Sequence, residues 1–145
     1  MSTFLDARTS QNASAYASIL IPFPAVDTSV LIGVIGLQVI NPTGVIRTQF
    51  SGIIGLAFPI PGSGPTDIEI SVVRGSASTD LEVFALKRTF NVGDTGIQVL
   101  NFSGADYNVP PPVSQQLVYS MFVSSSTLIP IRNGPESFLG AVYCD

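Results

Sequence analysis

The sequence predicts an all-β fold, two antiparallel sheets packed as a sandwich, and three observations carry that prediction. No stretch sustains an apolar period of 3.6 residues, the signature of an amphipathic helix. Thirteen glycines and eleven prolines punctuate the chain at intervals too short for helices of ordinary length. Between them stand about eight runs rich in β-branched and aromatic residues, at the spacing of roughly 8 to 12 residues typical of sandwiches and barrels.

The first element reads as an arm. Residues 1–13 are small and polar apart from Phe4 and Leu5 and show no strand pattern. The chain therefore divides into a connecting arm, 1–13, and a sandwich domain, 14–145. Free ends are seldom ordered unless something holds them, so Phe4 and Leu5 are expected to anchor the arm on a neighbouring subunit.

The next runs, Val30 to Ile40 and Val45 to Phe58, are apolar at consecutive rather than alternate positions, which implies burial on both faces. A sandwich exposes one face of each sheet. The conflict disappears if the outer faces of these strands lie in a subunit interface. A helix over Val30 to Ile40 is disfavoured, because Gly33 and Gly36 would each cost it about 1 kcal/mol. Gly33-Val34-Ile35-Gly36 is echoed by Gly52-Ile53-Ile54-Gly55. Glycine within a strand marks a bend or a close backbone approach, here either tight packing at an assembly axis or a pair of bends within the sandwich.

Asp67 to Val72 alternates polar and apolar residues with period two, placing Ile68, Ile70 and Val72 on one buried face. Leu81 to Leu86, Gly96 to Phe102 and Leu117 to Val123 complete the strand-like runs. Turn chemistry separates them at Asn41 to Gly44, Pro59 to Pro65, Gly75 to Ser78, Asn91 to Gly96 and Asn133-Gly134-Pro135. Pro110-Pro111-Pro112 makes 108–114 an extended connection between the sheets.

At 145 residues the chain suits one domain. Hydrophobic residues make up 46% of it and charged residues 11%, against about 25% charged in an ordinary domain. Much of the surface is therefore uncharged, either neutral polar or covered by other subunits. Six basic and ten acidic residues are scattered without blocks, which gives no footprint for nucleic acid. The longest apolar stretch falls well short of the ~20 residues that span a bilayer, so no membrane insertion is expected. No secretory signal is visible at the start.

No chemistry emerges. The chain has no histidine, the usual general base and commonest transition-metal ligand. Asp67 with Glu69, and Asp80 with Glu82, sit at period two on strands, where their side chains project to solvent rather than face each other across a cleft. Asn91, Asp94, Asn101 and Asp106 match no calcium loop. Gly62-Ser63-Gly64 and Gly93-Asp94-Thr95-Gly96 lack the basic residue and following helix of a phosphate cradle. Lys87-Arg88 reads as protection of a sheet edge. Cys144, the single cysteine, has no base to activate it; it is a buried small side chain, an idle thiol or half of an intermolecular disulfide. No catalytic, cofactor-binding or metal site is expected, and no cofactor.

Ser137-Phe138-Leu139-Gly140-Ala141-Val142-Tyr143 resembles the last strand of the tumour-necrosis-factor and complement globular-head superfamily, and Tyr119-Ser120-Met121-Phe122 its aromatic penultimate region. Arg132-Asn133-Gly134-Pro135-Glu136-Ser137-Phe138 is similar to jelly-roll proteins of the endospore surface in Bacillus-type bacteria, the exosporium and appendage-fibre proteins. The resemblance implies a jelly-roll sandwich forming homotrimers, with Tyr119, Phe122, Phe138 and Tyr143 in the trimer core and the N-terminal arm joining one trimer to the next. The implied role is a structural, self-assembling subunit of a fibre or coat, at an extracellular and specifically spore surface, with a surface anchoring protein as a further partner. A receptor- or carbohydrate-binding head, for which Tyr107 is the one aromatic in the predicted turns, and a viral capsid or appendage protein are the alternatives.

Overall fold

The computed structural model describes residues 2–145. It holds nine strands and, among the described residues, no helix: β1 (Thr3–Ala13), β2 (Ile21–Pro22), β3 (Val30–Gln38), β4 (Ile46–Phe58), β5 (Thr66–Arg74), β6 (Leu81–Phe90), β7 (Gly96–Tyr107), β8 (Gln116–Ser125) and β9 (Ile131–Cys144). β2 is a two-residue addition, so eight strands build the sandwich.

The pairings are those of one long antiparallel ribbon. β5 pairs with β6, β4 with β7, β3 with β8 and β1 with β9. Rolling the ribbon brings β9 against β4 and β8 against β5, giving sheets in the order β1-β9-β4-β7 and β3-β8-β5-β6. This is a jelly roll. The turns form where the sequence supplies the chemistry. At β5–β6, the Asp80 carboxylate accepts the backbone N–H groups of Ser76 and Ala77, each at 2.9 Å. At β6–β7, the Asp94 carboxylate accepts that of Asn91 at 2.7 Å. The three prolines carry the chain from β7 in the larger sheet to β8 in the smaller.

The core lies between the sheets, with Ile35, Leu37, Phe50, Ile54, Ile68, Ile70, Met121, Phe138 and Val142 all but inaccessible to water. Each such side chain contributes about 1.5–3 kcal/mol by leaving water. Phe50 joins the aromatics, its ring 5.8 Å from Phe84, 5.9 Å from Tyr119 and 6.3 Å from Phe138.

The structure corrects three sequence expectations here. Residues 3–13 are not an arm: they form β1, an edge strand of the larger sheet, paired with β9 from Thr3↔Cys144 to Ala13↔Glu136. Its alternation is hidden because polar side chains occupy its inner positions, Ser10 against Gly33 and Asp6 beneath the backbone of Gln38. Asn133-Gly134-Pro135 does not end a strand. It lies within β9, opposite a register shift between Ile54 and Leu56 of β4, and a Cβ on Gly55 would collide with the Gly134 carbonyl oxygen. That bulge also accounts for the consecutive buried positions of β4, Ile54-Gly55-Leu56, so β4 needs no neighbouring subunit to cover it. The glycines at 33, 36, 52 and 55 all meet atoms of their own chain, which makes them close-packing positions of the sandwich and not an assembly axis.

Candidate assembly edges and the outer face of the larger sheet

Each sheet ends in two edge strands, and they differ in charge. β6 carries Glu82, Lys87 and Arg88, and β1 carries Asp6 and Arg8. β3 has no charged residue at all, and the sole one on β7, Asp106, is buried. Charged residues on an edge discourage strand addition, so β3 and β7 are the less guarded edges, although the Asp6 carboxylate of β1 takes the outward Gln38 N–H at one end of β3. Both also present apolar side chains outward, Leu31 and Val34 on β3, Ile97 and Val99 on β7. β3 packs over β1, and β7 over β6. The two less guarded edges therefore lie on opposite sides of the sandwich and belong to different sheets.

The outer face of the larger sheet is ordered by register into rows across β1, β9, β4 and β7. One row reads Phe4, Tyr143, Arg47, Tyr107; the next Ala7, Ala141, Gln49, Ala105; then Thr9, Leu139, Ser51, Ser103; then Gln11, Ser137, Ile53, Asn101. Arg47 is the single charged side chain in these rows, and it pairs with Asp145 at 3.2 Å. The second and third rows are built largely of small side chains, which leaves a groove of about 670 Å³ across the middle of the sheet. Smaller depressions adjoin it through shared lining residues: about 340 Å³ beside Phe4, Arg47 and Tyr143, and about 290 Å³ beside Ile53, Asn101 and Ser137.

Two buried polar networks were not legible as such in the sequence. In the first, the Tyr119 hydroxyl donates to Asp106 Oδ2 at 2.7 Å and lies 3.0 Å from Thr48 Oγ1, while Arg74 grips both Asp106 oxygens at 2.8 and 2.9 Å. Burial, chiefly, pushes the Tyr119 hydroxyl well above the ordinary tyrosine range, so it stays protonated. In the second, Arg132 donates twice to Glu136, both bonds 2.7 Å, and Asn12 Nδ2 of β1 donates to Glu136 Oε1 at 2.7 Å. Glu136 is wholly buried. Among the described residues no cluster of three metal-ligating acidic or cysteine side chains occurs.

The residues expected in a trimer core do not come together on a free surface. Tyr119 and Phe138 are fully buried within their own chain, which removes them as subunit contacts: a side chain enclosed by its own sandwich has no area left to bury. Phe122 lies on the outer side of β8 and is nearly covered. Tyr143 is half-buried on the opposite face of the molecule, with Phe4 edge-on at 5.8 Å. Phe4 is exposed and Leu5 packs partly against the core. Cys144 is buried, with its sulfur 3.9 Å from Thr43 Oγ1. A thiol enclosed in the core cannot reach another chain, so the intermolecular disulfide is also corrected.

No family model matches the chain, and no curated protein matches it in sequence. Its fold is found in solved structures. A chain of infectious bursal disease virus, Gx strain, superposes over 95% of this protein at a TM-score of 0.52 and 9% identity; the protein spans 32% of that chain's length. The Eiger TNF of S. frugiperda matches at a TM-score of 0.45 and 10% identity, over 98% of this chain and 93% of that one. A Bacillus endospore appendage pilus subunit matches at 0.32 and 11%, over 98% and 89%. At such identities the viral likeness establishes the jelly-roll fold and nothing finer.

Proposed function

We propose that this protein is a structural, non-enzymatic subunit that assembles with copies of itself into a surface fibre or coat, of the spore-appendage or exosporium type. One observation carries the reading: two edges without an exposed charged side chain of their own, β3 and β7, lie on opposite sides of the sandwich. An edge strand offers a row of unpaired backbone donors and acceptors. Pairing β3 of one copy with β7 of the next is a heterologous contact, and such contacts propagate as an open filament unless their rotation closes a ring. A ring of three is the homotrimer that the resemblance implies. The open arrangement is the better supported, because Tyr119 and Phe138 are enclosed and cannot build a threefold aromatic core. β1 supplies a second link. Ala13 is its one fully buried side chain, so β1 of one copy can exchange onto β9 of another, with Phe4 and Leu5 travelling with it.

Sedimentation velocity and negative-stain microscopy test this directly. The wild-type protein should form filaments or discrete oligomers that grow with concentration. Val34→Lys, which guards β3 with a charge, should leave the fold intact by circular dichroism and shift the protein to monomer. A wild-type protein that stays monomeric at millimolar concentration would overturn the reading.

A further inference from the structure

The geometry points to a second, independent function on the outer face of the larger sheet: a binding cleft for a neutral oligosaccharide. Two exposed aromatics have no role in the core. Tyr107 is 69% exposed and Phe4 57%, yet the register sets them in one row with Tyr143 and the Arg47 guanidinium. Tyrosine and phenylalanine come from strands at opposite edges of the sheet, so the row is visible only in the fold. An aromatic ring left in water is a stacking platform, and the C–H faces of hexose rings stack on such platforms while their hydroxyls seek polar partners at the side.

Those partners are present. Below the aromatic row the groove is floored by Ala141 and Ala105, small enough to let a ring settle on the sheet, and is flanked by Gln49, Thr9, Ser51 and Ser103. Amide and hydroxyl side chains both donate and accept hydrogen bonds, matching sugar hydroxyls, which do the same. Its volume of about 670 Å³ falls within the range of roughly 300–1,000 Å³ for ligand sites. Together with its two adjoining depressions it runs over four rows, and with neighbouring rows of one face about 6.6 Å apart it has room for several linked rings. Charge selects the ligand class. Arg47 is paired with Asp145, and Arg8, which also lines the groove, is paired with Asp6, so no unpaired charge there favours an acidic or a basic ligand. A second copy of the chain is the competing occupant, but within the four rows of the groove Leu139 and Ile53 are the only aliphatic side chains larger than alanine, and the exposed Ile97 and Val99 of this face lie beyond them at the far end of β7.

The experiment is calorimetric titration of the whole protein with neutral hexasaccharides (cellohexaose, chitohexaose, xylohexaose, mannohexaose) and with an acidic one, hexagalacturonate. At least one neutral sugar should bind saturably, and Tyr107→Ala should weaken it at least tenfold with little change in melting temperature, as Tyr107 is 69% exposed and outside the core. Ser51→Arg, which fills the groove, should abolish binding. Failure of all four neutral sugars to bind at millimolar concentration, binding of the acidic sugar alone, or binding unaffected by either substitution overturns the inference. Oligomeric state, read in parallel by light scattering, reports on edge assembly and does not depend on this result.

Discussion

Glu136 is a carboxylate with no water and three hydrogen bonds. Removing one partner of a buried ion pair leaves the other stranded, at a cost of about 3–5 kcal/mol, so Glu136→Ala should lower stability by that much in urea denaturation. Gly55→Ala should also destabilise, since its Cβ would collide with the Gly134 carbonyl and backbone cannot rotate aside as a side chain can. Asp6 gives a pH signature. Its carboxylate accepts the Gln38 N–H at 2.8 Å, and mainly that bond, aided by Arg8, holds it below its ordinary value of 3.8. A depressed folded pKa contributes stability that is complete above the unfolded value and is lost as pH falls through the folded one. Asp6→Asn should therefore lower stability at pH 7, where the ionised carboxylate contributes, and leave it unchanged at low pH, so that the acid limb below about pH 4 is flattened. Little of this could be read beforehand. Arg132 and Glu136 stand four apart in the sequence, but outside a helix that spacing predicts no contact, and only the bulge in β9 turns them toward each other. Cys144 was legible only as one of several options, because burial of a terminal thiol depends on β9 lying between two strands.

β1 shows why an element can hide. A strand is recognised by alternation, and alternation appears when one face is apolar. β1 meets the sandwich at its open side, where Ser10 and Asp6 satisfy polar or confined positions, so its sequence looks like a tail. β5 is the opposite case: Ile68, Ile70 and Val72 face the core with polar residues between them, and the period of two was plain. The consequence for truncation follows. Deleting residues 2–13 strips the pairing from one side of β9 between Glu136 and Cys144 and the Asn12 bond from Glu136. The shortened chain should lose its cooperative thermal transition and bind hydrophobic dye, whereas a mere arm could be removed with the melting temperature unchanged.

At the scale of the whole molecule, the two-sheet sandwich and the crossing at Pro110–Pro112 were readable, since each depends on local turn chemistry and composition, whereas the count of about eight strands left out β1 and placed a turn inside β9. The order of strands was not, because which strand lies beside which is settled by how the ribbon rolls. The shortage of charge proved informative in a different way from that expected. It is concentrated on two edges and one face, while the β4 run that first suggested an intersubunit interface is covered at Ile54–Leu56 by the bulge of β9.

The nested ribbon has a kinetic consequence. Its strand pairs close progressively longer stretches of chain, from the β5–β6 turn at the tip to β1 with β9 at the base, and closing a longer loop costs more entropy unless the inner pairs have already shortened it. Folding should thus zip from the tip, with β5 and β6 structured in the transition state and β1 docking last. Substitutions such as Ile70→Val should slow refolding, giving φ-values toward one, while Leu5→Ala should mainly speed unfolding, with φ near zero. Stopped-flow chevrons of the two variants would check it; equal φ-values would mean the ribbon does not close in nested order.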